Sequence, residues 1–292
     1  QTMNKKTVLW FFLFLLPVAD MLFCEPESSA HRIVSLVPSG TQMIADLELG
    51  SSLVGMTEFC KRPVDATNAE IIGSQMAPNL ERITRLQPTL VIADVESNKP
   101  TTIDRIKKLG IPILPLGPSR TEKDLEEAFL TLGDRLHVRP RAEQKLREWQ
   151  EQLQTVANRL ENHPKKRVFI EIWHRPLMTV SSKGFAHAIV ERAGGENVFA
   201  DSPVAYPIVS MESIIARKPE VILILSEVAS LEERKAVYSQ LPPLSRCEII
   251  LIKSPQVTLP CFSSFVKSVD LISERLHPDL NEQKSQSCTD AP

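Results

Sequence analysis

Short apolar runs bounded by turn residues alternate with amphipathic stretches along most of this chain, a pattern that builds strands and helices in turn. Ile33 to Val37 is the first run; it ends at Pro38-Ser39-Gly40-Thr41, a turn suited to cap a helix over Gln42 to Leu49. Leu53 to Met56 reads as a strand, Leu80 to Leu86 as a helix and Leu90 to Ala93 as a strand. Ile103 to Leu109 reads as a helix closed by Gly110, and Ile111 to Leu116 as a strand whose prolines put it at a sheet edge or strand end. The alternation restarts after Pro164-Lys165-Lys166. Val168 to Trp173, Val221 to Leu225 and Ile249 to Ile252 read as strands. Gly184 to Ala193, Met211 to Ala216 and Phe262 to Leu276 read as helices, the first stopped by Gly194-Gly195. This order predicts an α/β protein of two Rossmann-like lobes with central, mainly parallel sheets.

The stretch between the lobes is helical. Thr121 opens one helix, with Asp124 as its capping-box partner. Leu146, Trp149, Leu153, Val156 and Leu160 then recur three and four residues apart among Glu, Gln, Lys and Arg, one apolar stripe on a helix from about Pro140 to Asn162. At 1.5 Å per residue that helix is roughly 30 Å long. The expected organisation is an N-terminal lobe over 31–120, a helical connector over 121–164, a C-terminal lobe over 165–278 and a polar, disordered tail over 279–292. A long backbone helix braced by both lobes permits only small relative movement.

One passage occurs twice. Asn79-Leu80-Glu81-Arg82-Ile83 runs through Pro88 into Leu90-Val91-Ile92, and Ser210-Met211-Glu212-Ser213-Ile214 runs through Pro219 into Val221-Ile222-Leu223, without a gap. Capping residue, Glu, Ile, Pro and strand all fall in register. Such self-similarity marks a duplicated unit, with a carboxylate at the same place in each copy.

The first thirty residues differ. Met3-Asn4-Lys5-Lys6 is a basic start, and Val8 to Ala19 is almost wholly apolar. That is a secretory signal peptide; the run is short of the about 20 residues a membrane span needs. Ser28-Ser29-Ala30 offers small residues for cleavage; lipidation at Cys24 is the alternative, with Met21-Leu22-Phe23 a poor lead-in to it. Either route implies a periplasmic or extracytoplasmic protein. Net charge is −2 over 292 residues, with no polybasic block, which argues against a nucleic-acid partner. Cys60, Cys247, Cys261 and Cys288 have no zinc-site spacing, and export permits disulfides.

These residues carry a resemblance. Arg32-Ile33-Val34-Ser35-Leu36-Val37-Pro38-Ser39-Gly40-Thr41, the passage Pro78 to Val91, Lys166-Arg167-Val168-Phe169, Ala193-Gly194-Gly195-Glu196-Asn197-Val198-Phe199 and Tyr206-Pro207 with Val209-Ser210-Met211-Glu212 resemble the signatures of class III substrate-binding proteins of ABC importers. That family serves cobalamin, ferric siderophores and haem, and the cobalamin branch is the most similar. The resemblance covers about Arg32 to Pro278. It implies a ligand cleft between the lobes, a monomer when free, and permease docking through one Glu of each lobe, here Glu81 and Glu212. It implies no intrinsic cofactor; the metal chelate is cargo, a corrinoid first, haem or a ferric siderophore next.

Ligands of open α/β sheets sit at the carboxyl ends of strands. The candidate cleft residues are therefore Ser39, Gly40, Thr41, Glu58, Phe59, Asp94, Asn98, Trp173, His174, Arg175, Tyr206 and Phe262. Phe59, Trp173, Tyr206 and Phe262 are stacking surfaces or, alternatively, loop anchors. His174 is a candidate ligand for a bound cobalt or iron, although a lone His more often hydrogen-bonds at a surface; Arg175 suits a carboxylate or phosphate. Cys60 and Cys261 fall on facing loops, where a disulfide would tie the lobes; free thiols packed apart are the alternative. The chain departs from the family pattern at Gln75 and Asp94, where the cobalamin branch often has Trp. It departs again at Thr258-Leu259-Pro260-Cys261-Phe262-Ser263, where many relatives carry arginines, which weighs against an anionic catecholate siderophore. No G-x-S-x-G, P-loop, H-E-x-x-H or dinucleotide motif is present, so the expectation is a binding protein rather than an enzyme such as an exported hydrolase. A ligand-sensing module for a membrane receptor is the other competing class.

Overall fold

The computed structural model describes residues 31–226, 229–253, 257 and 259–279. The expected signal peptide, Cys24, Cys288 and the tail beyond Asp279 lie outside them. The first sheet is built from β1 (Ile33–Ser35), β2 (Leu53–Met56), β3 (Glu70–Ile71), β4 (Leu90–Asp94) and β5 (Ile113–Leu116), in the order β3-β2-β1-β4-β5, all parallel. Its helices are α1 (Pro38–Asp46), α2 (Leu80–Arg85) and α3 (Pro100–Lys108). The proline-bearing β5 is an edge strand, as its missing donors require.

Two helices follow, α4 (Glu122–Arg135) and the long α5 (Arg139–Leu160). Thr121 and Asp124 form a reciprocal capping box at the start of α4. Leu146, Leu153 and Val156 of the predicted stripe are buried along α5, with Trp149 and Leu160 packed beside them.

The second sheet contains β6 (Lys166–Glu171), β9 (Gly195–Asn197), β10 (Val221–Leu225) and β11 (Glu248–Ile252), in the order β11-β10-β6-β9, again all parallel. A small antiparallel hairpin, β7 (Trp173–His174) with β8 (Leu177–Met178), leaves the end of β6. The helices here are α6 (Phe185–Arg192), α7 (Met211–Ala216), α8 (Leu231–Ser239) and α9 (Phe262–Leu276). The last helix returns to pack on α4, α5 and α6, so one apolar core runs from the first sheet through the connector to the second.

The periodicity missed α8, β3, β9 and the hairpin, all short or weakly amphipathic. It also began α1 four residues late. Pro38 starts that helix, its preceding residue Val37 gives no side-chain cap, and Ser39, Gly40 and Thr41 are helical rather than a turn.

Candidate ligand and docking sites

The two passages repeated in the sequence fold alike. Asn79 caps α2 by accepting from the Arg82 amide at 2.9 Å, and Ser210 caps α7 by accepting from the Ser213 amide at 3.3 Å. Glu81 and Glu212 are each the second residue of their helix, exposed, where the helix dipole favours a carboxylate. A hydrogen bond from Ser210 holds the Glu212 carboxyl below its ordinary range. Both helices end the same way. Gln87 (φ 46°) and Lys218 (φ 48°) are left-handed, each followed by proline. Arg32 donates to the Leu86 carbonyl at 2.7 and 3.1 Å; Arg167 donates to the Arg217 and Lys218 carbonyls at 2.7 and 3.3 Å. The two carboxylates are thus positioned by two copies of one device.

Exposed apolar side chains gather on loops that leave the carboxyl ends of strands. Phe59, Met76 and Val95 do so in the first lobe; Trp173, Val204, Tyr206 and Ile208 do so in the second. Met76, Val95, Val204 and Ile208 escaped the sequence reading, although an apolar residue in a polar loop beside a predicted strand end was a usable signal. Trp173 is 46 % exposed, its indole N–H donates to the Arg175 carbonyl at 2.8 Å, and its ring lies 5.8 Å from that of His174. Arg175 is exposed and makes no ion pair among the described residues. Tyr206 packs over Gly184, where a Cβ would meet the ring at 3.2 Å. Burial, with Glu96 of the first lobe nearby, pushes its hydroxyl up. Glu96 pairs in turn with Arg120. Tyr206 of the second lobe therefore lies within electrostatic reach of Glu96 and Arg120 of the first; the two charged residues gave no sequence signal.

Other expected residues are placed differently. Ser39 and Thr41 are buried in the first turn of α1, and a Cβ on Gly40 would meet Ile92 at 2.7 Å, so this segment serves close helix–sheet packing. Asp94 is also buried. Its carboxylate accepts from the Glu96 and Ser97 amides at 3.0 and 2.7 Å, while Asn98 accepts from the Asp94 amide and donates to the Gln75 carbonyl. These two side chains are spent on their own loop. Phe262 is a core residue rather than a cleft surface: it is 1 % exposed and packs on Trp149 and Phe265, because the apolar side of α9 faces the long helix. Cys60 and Cys261 are free thiols, which corrects the disulfide. The Cys60 sulfur lies 3.1 Å from the Thr57 hydroxyl, and Cys261 is enclosed beside Ser263 and Ser264, where burial pushes its thiol up to about 11. Among the described residues no group of three or more His, Cys, Asp or Glu side chains could hold a metal ion.

A buried polar cluster supports the Trp173 hairpin. Glu171, the last residue of β6, accepts from Arg234 Nη2 at 2.8 Å and from the Tyr238 hydroxyl, and its other oxygen is ion-paired with Arg234 Nε at 2.8 Å; all three residues are buried. Burial and the adjacent carboxylate drive the Tyr238 pKa far up, so its hydroxyl stays a donor.

Two related α/β lobes with apolar loops at their strand ends form a two-lobed binding protein. The chain belongs to the periplasmic binding protein family, whose profile matches residues 33–242. A vitamin B12-binding protein of Yersinia pseudotuberculosis is 31% identical over 217 residues, 73% of this chain and 77% of that protein. One of Vibrio parahaemolyticus is 28% identical over 84% of this chain and 89% of its own. The fold matches the crystal structure of the periplasmic vitamin B12-binding protein BtuF of Vibrio cholerae (TM-score 0.71, 24% identity, 85% and 96% coverage). It also matches the periplasmic haem-binding protein HutB of Vibrio cholerae (TM-score 0.75, 22% identity, 86% and 100% coverage). These relatives are named for binding, not for catalysis.

Proposed function

We propose that this chain captures a corrinoid between its lobes outside the cytoplasm and presents it to the permease of an ABC importer. The observation that carries the reading is the run of vitamin B12-binding relatives, 28% and 31% identical along most of the chain. Exposed Phe59, Trp173 and Tyr206 on strand-end loops support it, because a flat macrocycle is held by stacking and apolar contact. Arg175 and His174 are the polar groups at hand for the ligand's substituents. The lobes divide at 31–120 and 165–278, with 121–164 as connector, and Glu81 and Glu212 are the docking carboxylates for the two permease subunits. Charge contacts of this kind govern encounter and register more than raw affinity.

Titration of the purified protein with cyanocobalamin, cobinamide, haemin and a panel of ferric siderophores, followed by absorbance and fluorescence, tests the reading. The corrinoids bind tightest, and Trp173→Ala weakens cyanocobalamin binding about tenfold, the loss of roughly 1.4 kcal/mol of stacking. Tighter binding of haemin than of either corrinoid would overturn it.

A further inference from the structure

The two docking carboxylates sit in unlike surroundings. Beside Glu81 a groove of about 710 Å³ runs between α2 and α3, lined by Leu80, Glu81, Thr84, Arg85, Arg105, Lys108 and Leu109. Its floor is mostly apolar, and Leu109, at 51 % exposure, is one of the larger exposed apolar side chains of the molecule. Its lip is cationic. Arg85 is paired with Glu70 at 2.7 Å, whereas Arg105 and Lys108 are exposed and have no ion pair among the described residues.

The repeat gives an internal control. α3 (Pro100–Lys108) and α8 (Leu231–Ser239) stand at the same spacing as Glu81 and Glu212, so each groove position has a counterpart in the second lobe. Arg85, Arg105 and Lys108 correspond to Ala216, Ala236 and Ser239, and Leu109 to Gln240. None of the three cations is kept at the matching positions of the second lobe, while the carboxylate is. A shared device with one-sided charge marks an interaction that only one lobe makes.

We propose that the α2–α3 groove is a second docking contact, made by the first lobe alone, for a permease segment that presents a carboxylate next to apolar side chains. The carboxylate meets Arg105 and Lys108, and the apolar side chains lie on Leu80 and Leu109. On a two-fold permease only one of the two equivalent segments is engaged, so the loaded complex is asymmetric even though Glu81 and Glu212 are matched. The proposal rests on the docking reading of those two residues.

The experiment measures the affinity of the corrinoid-loaded protein for its cognate permease in lipid nanodiscs across a salt series. Arg105→Glu/Lys108→Glu weakens it about tenfold at low salt and flattens the salt dependence, and Leu109→Ser weakens it about threefold without changing that dependence; corrinoid affinity is unchanged in both. Glu81→Lys/Glu212→Lys is run beside them. Loss of binding in that variant with none in the groove variants overturns the groove while leaving the docking reading intact; no loss in any of them removes the docking reading itself. A photo-crosslinking residue at position 109 captures the permease and one at 240 does not. Equal capture from both positions, or capture of a second copy of this chain from 109, overturns the one-sided contact.

Discussion

The two lobes share a strand–helix unit, and the place where they part is informative. In the first lobe, the residue that ends β1's run is Leu36, and it shares an apolar cluster with Ile103 of α3. The register of β1 on β4 and of β6 on β10 puts Glu171 at the place of Leu36, and the repeat puts Arg234 of α8 at the place of Ile103. An apolar contact in one lobe is an enclosed ion pair in the other. Burying two charges is offset only by good geometry and further hydrogen bonds, which Glu171 obtains from Tyr238. As a rule such a pair adds little over an apolar contact of similar volume. It does impose direction. In the first lobe, Leu36 passes straight into α1, whereas Glu171 is followed at once by the hairpin that presents Trp173. The directional contact thus stands directly before the hairpin.

The strongest way to break this comparison is to remove half of the pair. Glu171→Leu leaves the buried Arg234 charge without its carboxylate, with only the Tyr238 hydroxyl to bond, and destabilises the protein by about 3–5 kcal/mol; Arg234→Ile likewise leaves the Glu171 charge uncompensated. The triple variant Glu171→Leu/Arg234→Ile/Tyr238→Phe copies the first lobe's chemistry and recovers most of that loss, since no buried charge or hydroxyl is stranded. Denaturant unfolding of the three variants decides the matter. A triple variant as unstable as either single one would show that the lobes are not interchangeable here. If the pair fixes direction, the triple variant is stable yet binds cyanocobalamin several-fold more weakly.

A smaller effect sharpens the likeness. Arg32 and Arg167 close the carbonyl ends of α2 and α7, so Arg32→Ala and Arg167→Ala each cost about 1–2 kcal/mol in the same unfolding assay. The contributions add, because the sites share no partner. Arg167 also pairs with Glu196 at 2.8 Å at a partly exposed site, an increment of a few tenths of a kcal/mol at most. A cost confined to one arginine would mean that the two helix ends are alike only in outline. Next in size, Gln87→Gly and Lys218→Gly relieve a left-handed backbone at exposed positions and stabilise by about 0.5–1 kcal/mol each. Destabilisation by both would sink the strain argument.

Much of this was legible in the sequence where a local rule governs. The capping Asn79 and Ser210, the following Glu and the closing Pro lie within ten residues, so their shared form needs no tertiary information. The stripe on α5 and the edge position of β5 follow from periodicity and proline alone. What stayed hidden depends on distance. Phe262 looked like a loop aromatic because the reading stopped at the helix start; it is buried because α9 folds back on Trp149, more than a hundred residues earlier. Asp94 looked available until its own loop claimed it. Glu171, Arg234 and Tyr238 are separated by 63 and 4 positions, and nothing in their local patterns couples them.

The smallest effect separates the lobes by pH. His187 and His277 both belong to the C-terminal half, and burial, the largest cause for each, lowers their pKa from 6.5. Around His187, Glu191 opposes the shift and Lys165 adds to it; around His277, the Gly194 carbonyl and Asp279 oppose it and Lys166 and His163 add to it. A lowered folded pKa means that the unfolded chain takes up the proton first. The stability these groups contribute is complete above 6.5 and is lost as pH falls toward their folded values. Asp46, which accepts from Ser263 at 2.5 Å, has the opposite sign: burial raises its pKa from 3.8, so its contribution is present in acid and fades as pH rises through its folded value. Acid loosening between pH 6.5 and about 5, above the carboxylate range, therefore belongs to the second lobe. Unfolding midpoints fall across that window in the wild type and flatten in His187→Gln/His277→Gln, and amide exchange at pH 5.5 quickens around α6 and β9 before β1 and β4. Exchange that quickens first in β1 and β4 would reverse the assignment.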